Sequence, residues 1–381
     1  MKYCVNCLFP DTKPELSIDE NGICDACRTG KYKNEIDWVS KRKELKKIFE
    51  ESKSTNGKYD CIIPVSGGKD SHFQTHVIKN EFNLNPLLVV FRPRDLTDLG
   101  RKNIENIKNF GVDCIEFSAN PVTYKKLAKF GLVELGDCAW PEHIGIFTVP
   151  VQIAVSLKIP LLIWGENPQF EYGGPSDISS RSYLDKEWNE KHGGYFLDKI
   201  KPKDMVSHGI TLEDLAPYLY PSDEEIKNAK VAGIFLGHFI KWDARKQVDI
   251  IKKYGFNTLP DKETTEGTYT NYENLDTKYV AMHDYFKFLK FGYGRATDHA
   301  SIDIRNNRLT REEGLKLVKQ YEGKIPTKYF KDFLEDFELT HEEFLSICEK
   351  FTNKELFKTD QNGRLVRDEE DNIQKITHDN V

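Results

Sequence analysis

No apolar run in this sequence approaches the roughly 18 residues that a membrane-spanning helix needs, so no membrane association is expected. The opening Met1-Lys2-Tyr3-Cys4 lacks the charged, apolar, then small pattern of a secretory signal, which points to the cytoplasm and to reduced thiols. Positive charge is in deficit: 55 Lys and Arg against 61 Asp and Glu leave a net charge of -6, the wrong sign for a chain whose main work is gripping a phosphate backbone. No nucleic-acid partner is expected on that ground. Hydrophobic residues at 39% and charged residues at 30% exclude a chain disordered throughout. At 381 residues the chain exceeds the usual single domain, so a core of about 200 residues with at least one appendage is expected.

Eight cysteines in a reducing compartment read as metal ligands, nucleophiles or core residues rather than disulfides. Cys4 and Cys7 form one Cys-x-x-Cys, Cys24 and Cys27 another, and the 16 residues between the pairs match the spacing of a zinc ribbon. Two residues between thiolates let a tight turn aim both sulfurs at one ion. Two such turns complete a closed tetrahedral site suited to structural Zn²⁺. A pair of redox dithiols is the competing reading. Cys61 and Cys114 lie in apolar runs and read as core; Cys138 and Cys348 are scattered.

Glu35 to Glu51 carries Trp38, Leu45, Ile48 and Phe49 at helical steps and predicts a connecting helix. Beyond it, short apolar runs at Cys61 to Val65, Leu87 to Phe91, Cys114 to Phe117 and Leu161 to Trp164 alternate with helical patterns, including 121–130 and 144–158. Strands alternating with helices predict an α/β fold with a parallel, doubly wound sheet. Ligands of such sheets sit beyond the carboxyl ends of the strands, where Ser66 to Ser71, Arg92 to Asp95 and Gly165-Glu166-Asn167 all fall. The expected organisation is a knuckle at 1–33, a connecting helix at 34–57, a nucleotide-binding core at 58–175, a substrate-binding and mostly helical region at 176–360, and a mobile acidic tail at 361–381.

The most specific chemistry lies in Ser66-Gly67-Gly68-Lys69-Asp70-Ser71, between the first strand and a helix. It is not a Walker A loop, which would need glycine where Ile63 stands. Two glycines let backbone N–H groups approach a phosphate, the helix N-terminus adds its positive end, and Ser66 and Ser71 add hydroxyls. Lys69 neutralises charge and Asp70 can hold a hydrated Mg²⁺. Phe91, Arg92 and Gly165, at the ends of neighbouring strands, join the candidate nucleotide-binding set, and Glu166 and Asn167 are candidates for orienting substrate or Mg²⁺. A plain polar loop closing a strand is the competing reading of that last pair.

The loop resembles the PP-loop of the ATP pyrophosphatases, adenylating enzymes that cleave ATP to AMP and pyrophosphate. Further stretches narrow the resemblance: Cys4-x-x-Cys7 with Phe9-Pro10-Asp11-Thr12, then Gly145 to Pro150, Ile163 to Gln169 with Glu171 to Gly174, and Lys290 to Asp298. As a set these are similar to the N-acetyl-sugar amidotransferases of bacterial O-antigen and flagellin-glycan pathways, over roughly residues 3 to 325. The resemblance implies the adenine nucleotide alpha hydrolase-like variant of the fold. It also implies ATP, Mg²⁺ and structural Zn²⁺ as cofactors, an N-acetylated sugar as substrate, and conversion of its acetamido group to an acetamidine.

Lys290, Tyr293, Arg295, Asp298, Arg305 and Arg311 crowd one stretch with two glycines, and fork-shaped cations there suggest closure on the phosphate of a nucleotide-linked sugar. A solvated, salt-bridged helix start is the alternative. No cysteine sits in a complete glutaminase motif, Cys138 lacking the second flanking glycine of a nucleophile elbow. Ammonia is therefore expected from a separate subunit, which the resemblance implies is like the glutaminase and cyclase pair of histidine biosynthesis. The alternative function is a tRNA-modifying PP-loop thiolase, which also joins N-terminal zinc knuckles to such a loop. Against it stand the acidic balance and the wide separation of Cys114 and Cys138, where a thiolase needs paired mid-chain cysteines.

Overall fold

The apolar runs at Cys61, Leu87 and Leu161 become buried strands with no charged residue, as parallel strands covered on both faces must be. The computed structural model describes residues 1–54, 58–174, 183–184, 187–188 and 200–376. Within these, β1 (Cys61–Pro64), β2 (Pro86–Phe91), β3 (Asp113–Phe117), β4 (Leu161–Trp164), β5 (Tyr183–Leu184) and β6 (Ala232–Phe235) form one sheet in the order β3-β2-β1-β4-β6-β5. All neighbours pair in parallel except β5, which runs antiparallel to β6. β2 is buried along its whole length, whereas β3, at one edge, keeps Asp113 and Glu116 toward solvent. There Asp113 accepts from the Tyr59 hydroxyl and Glu116 pairs with Lys108, polar cover that blunts an open edge.

Successive side chains of a strand face opposite ways, so each strand feeds two cores. On one face Cys61, Ile63, Leu88, Val90, Ile163 and Ile234 pack with Leu45 and Phe49. The latter two belong to the connecting helix α2 (Trp38–Ser52), which follows α1 (Asp25–Tyr32) and is capped by the Asp37 carboxylate on the Val39 and Ser40 N–H groups. The same face receives α3 (Lys69–His76) and α4 (Asp98–Lys108). On the other face Ile62, Leu87, Val89, Leu162 and Trp164 pack against α5 (Pro121–Phe130) and α6 (Trp140–Leu157).

After α7 (Pro168–Tyr172) and α8 (Ala244–Ile251), the C-terminal region supplies α9 (Val280–Phe291), α10 (Arg295–Arg305), α11 (Arg311–Tyr321), α12 (Phe330–Phe337) and α13 (His341–Phe351). Phe286, Phe333 and Phe344 of these helices join the second core, so this region completes the body. α11 begins as its Thr310-Arg311-Glu312-Glu313 start predicts, with a reciprocal capping box between Thr310 and Glu313. No helix among the described residues is long and apolar enough to cross a membrane.

Two expectations change. β6 was not legible in the sequence, because Ala232-Gly233-Ile234-Phe235 is too short and too small-residued to announce a strand; pairing with β4 decides it. The segment from 361, expected as a mobile tail, is laid down through residue 376 by antiparallel bridges between Phe357 and Lys375, Thr359 and Leu365, and Arg367 and Ile373. Ile373 is buried and the Arg367 guanidinium donates to the Leu345 carbonyl, so a few apolar anchors outweigh the acidic run. The tail's last residues, 377–381, and most of 175–199 lie outside the described residues.

Candidate active site

From β1 the chain moves to β2 and β3 on one side, and from β4 to β6 on the other. The crevice beyond the carboxyl ends of β1 and β4 is therefore the switch point at which open α/β sheets bind ligands. The loop leaving β1 fills one wall of it. Gly67 has φ of +86°, and a Cβ there would lie 2.7 Å from Ile104 Cγ1, so only glycine suits the position. The Gly68 N–H donates to Ser66 Oγ at 3.3 Å and the Ser66 N–H to Ser71 Oγ at 3.0 Å, which folds the loop back onto the start of α3. Both serines thus shape the loop, and the free N-terminal N–H groups of α3 face the space beyond it, an anion-binding arrangement.

One buried cation and several carboxylates set the electrostatics. Lys69, 5% exposed, places Nζ 2.6 Å from Asp70 Oδ2 and 3.1 Å from Glu273 Oε1. Burial works against its charge, but Asp70, Glu273 and Glu166 hold the ammonium well above its ordinary range. The other oxygen of Asp70 accepts from Trp242 Nε1 at 3.2 Å. Burial, reinforced by Asp70, pushes the Glu166 carboxyl up to about 8. Burial also raises Glu273 and Asp276, although Lys69 counteracts the first and the Ser66 hydroxyl the second. Burial is the main cause of all three shifts, and the Asp70 charge adds to it at Glu166 and Glu273. An all-oxygen donor set of this kind fits Mg²⁺.

Asn167 accepts from the Gln169 and Phe170 N–H groups at 3.1 and 3.4 Å, and so caps α7 directly after Glu166. Gly165 is a close approach, since a Cβ there would meet Gln74 of α3 at 2.3 Å. Phe91 packs against Gly145 of α6 and stacks on Phe117 with ring centroids 6.0 Å apart, and Arg92 continues the sheet by donating its N–H to the Phe117 carbonyl.

The expected phosphate-closing cluster is divided by the fold. Arg295 reaches the crevice's charged interior, where its guanidinium binds Asp284 through two bonds of 3.1 and 3.0 Å and, against burial, helps hold that carboxyl down to about 2. Asp298 pairs with Lys287. Lys290 instead donates to the Leu135 carbonyl at 2.6 Å. Tyr293 packs on the cysteine cluster, Arg305 lies over the Phe9 ring and donates to the Glu171 carbonyl, and Arg311 donates to the Cys7 carbonyl at 3.2 Å. Arg295 and Arg305 stand at opposite ends of α10, about 15 Å apart at 1.5 Å per residue, so they do not close on one phosphate.

Arg305 and Arg311 fasten the N-terminal knuckle. Cys4, Cys7 and Cys24 are fully buried and Cys27 nearly so, and the four sulfurs lie within 4.8 Å of one another. Cys4 and Cys27 are 3.8 Å apart and Cys7 and Cys24 3.6 Å. A tetrahedral ion with Zn–S bonds of about 2.3 Å requires sulfur separations of about 3.8 Å. The donor set fits a closed four-thiolate metal site, and the separations rule out disulfides. The knuckle also touches the crevice wall, because buried Lys33 pairs with Glu171 of α7.

Glu273, Asp276 and Asp284 were missed in the sequence. They lie far from the loop in the chain and in no motif, and nothing local marks them. Nearby in the chain, Asp243 pairs with Arg308 and Arg245 with Asp303.

Residues 266–369 match the family described as LPS biosynthesis protein WbpG-like, C-terminal domain. That stretch holds Glu273, Asp276, Asp284 and Arg295. Over 103 residues the chain is 33% identical to the uncharacterized protein MJ1599 of Methanocaldococcus jannaschii, a match that covers 27% of this chain and 37% of that protein. The match thus spans little more than a third of the curated relative's length. Among solved structures, NMN synthetase from Francisella tularensis is similar with a TM-score of 0.28 and 14% identity, over 51% of this chain and 92% of that one. The U34-tRNA thiolase NcsA from Methanococcus maripaludis, solved with its 4Fe-4S cluster, is similar with a TM-score of 0.31 and 12% identity, over 86% of this chain and 93% of that one.

Proposed function

We propose that this chain is an ATP-dependent amidotransferase that adenylates the acetamido group of an N-acetylated sugar and replaces its oxygen with ammonia, giving an acetamidino sugar, AMP and pyrophosphate. The observation that carries the reading is Lys69, buried at the head of α3 between Asp70 and Glu273, beneath a loop shaped for phosphate. The WbpG-like match of the C-terminal region supports a place in surface-polysaccharide synthesis.

An amide carbonyl is a poor electrophile, so its oxygen must become a leaving group. In the proposed reaction the amide oxygen attacks the α-phosphorus and pyrophosphate departs toward Ser66 to Ser71. Ammonia then adds to the imidate carbon, and AMP leaves with the former amide oxygen. Lys69 and the N–H groups of α3 would offset the charge that develops on the departing pyrophosphate, and Glu166 would orient the acetamido group. Mg²⁺, held by Asp70 with Glu273 or Asp276, would supply further charge neutralisation.

Ammonia would come from a glutaminase partner. Burial pushes the Cys138 thiol well above its ordinary range, and it points to the Tyr279 carbonyl at 3.9 Å, a poor setting for a nucleophile.

The test is to incubate the purified chain with ATP, Mg²⁺, ammonium and a panel of nucleotide-linked N-acetyl sugars, and to read products by mass spectrometry. AMP, pyrophosphate and an amidine are expected, with glutamine serving only when a glutaminase is added. ADP and orthophosphate as products would overturn the reading, as would glutamine hydrolysis by the chain alone. Sulfur transfer to tRNA would favour the thiolase alternative.

A further inference from the structure

A second cluster of ligating side chains lies where α6 and α9 begin. Gly136 ends the preceding helical turn with φ of +62°, and the next residue, Asp137, is fixed by its backbone: its N–H donates to the Gly131 carbonyl at 2.8 Å. Asp137 Oδ1 accepts the Ala139 N–H at 2.9 Å, and the carboxylate is 9% exposed. His143, in the first turn of α6, brings Nδ1 to 3.8 Å from Asp137 Oδ2. His283, in the first turn of α9, brings Nδ1 to 2.8 Å from Asp137 Oδ1. One ligand atom from each of the three lies within 4.8 Å of the others.

We propose that Asp137, His143 and His283 form a second metal site, separate from the cysteines, for a divalent first-row transition ion such as Zn²⁺ or Fe²⁺. Metal–nitrogen and metal–oxygen bonds of about 2.0–2.2 Å place neighbouring ligand atoms about 3.0–3.5 Å apart. The observed 2.8 and 3.8 Å bracket that span, and small side-chain rotations would equalise them. Two imidazoles and one carboxylate select a transition ion over Mg²⁺, which prefers oxygen alone.

Three protein ligands leave coordination positions open, and there is space for them. A cavity of about 50 Å³ is lined by both histidines together with Asp95, Tyr124, Cys138 and Glu142. That is room for one small ligand, a water occupying about 30 Å³ of liquid. The same cavity is lined by Asp95 and by Thr277, the residue after Asp276, so it lies beside the segment that brings Asp276 to the crevice. An ion here would have room for a water or another small donor in this cavity.

The test needs no activity, so its outcome is independent of the proposed reaction. The full chain is stripped with chelator, reloaded with Co²⁺ or Zn²⁺, and read by elemental analysis and visible absorption. About two ions per chain are expected, one showing the intense thiolate-to-cobalt charge-transfer band and one without it. His143→Ala with His283→Ala should bind about one ion and keep the thiolate band. Should the double variant fail to fold, Asp137→Asn, which keeps the Ala139 hydrogen bond, should still lose the ion without the thiolate band. A wild-type chain that binds only the thiolate-ligated ion would overturn the site, leaving an Asp137–His283 ion pair. So would Asp137→Asn that retains both.

Discussion

Lys69 is a buried cation whose partners are both acids, and Asp70 divides its two oxygens between that ammonium and Trp242. Asp70→Asn keeps the shape and the indole hydrogen bond but removes a metal-binding charge. Nucleotide turnover should therefore fall by about 100-fold or more, with little change in melting temperature; AMP release and thermal denaturation measure the two. Glu166 gives a pH signature. Its carboxyl, pushed up to about 8 by burial, keeps its proton in the folded chain where the unfolded chain has already lost it. Folded protein then binds more protons than unfolded across the window from the ordinary carboxylate range to about 8, so this residue makes stability fall as pH rises through it. Glu166→Gln should flatten that decline, and urea melts taken at intervals across the window read it directly. A slope unchanged by the substitution would remove Glu166 as its source.

At the scale of elements, the turn between β1 and α3 depends on the conformation of Gly67. Gly67→Ala would force a Cβ into the left-handed region at a cost of about 1–2 kcal/mol, and also against Ile104, 2.7 Å away. Loss of ATP binding together with that destabilisation is expected, measured by calorimetry and denaturant titration. Full ATP affinity in the variant would mean that the loop does not use this conformation. The knuckle is a second such element. Arg305, Arg311 and Lys33 tie it to α10, α11 and α7, and α7 starts directly after Glu166 and Asn167. Removing its metal by Cys24→Ser with Cys27→Ser should raise hydrogen exchange over residues 1–33 and α7, leave β1 and α3 protected, and lower turnover severalfold through the crevice wall. Unchanged exchange in α7 would show that the knuckle is mechanically independent.

Across the whole molecule, the C-terminal helices are part of the crevice. α9 and α10 bring Asp284 and Arg295 to the sheet, while the segment before α9 brings Glu273 and Asp276 to the loop. The WbpG-like stretch therefore supplies acids that act on a loop two hundred residues earlier in the chain. Either half by itself would hold an incomplete set of charges.

The sequence by itself determined the parts whose chemistry is contiguous. Two Cys-x-x-Cys pairs specify a buried four-thiolate cluster because neighbouring residues set the bite of the sulfurs, and Ser66 to Ser71 specify a tight strand-to-helix turn because glycine, helix start and hydroxyls are adjacent. Uninterrupted apolar runs determined β1, β2 and β4 for the same local reason. Only the tertiary structure decided which acids surround Lys69, since Glu273 and Glu166 meet it through chain return and no spacing encodes that meeting. It also decided that Lys290, Arg305 and Arg311 serve as fasteners to main-chain carbonyls. Clustered cations in a sequence suggest one target, but helical rise and three separate elements sent them to different ones.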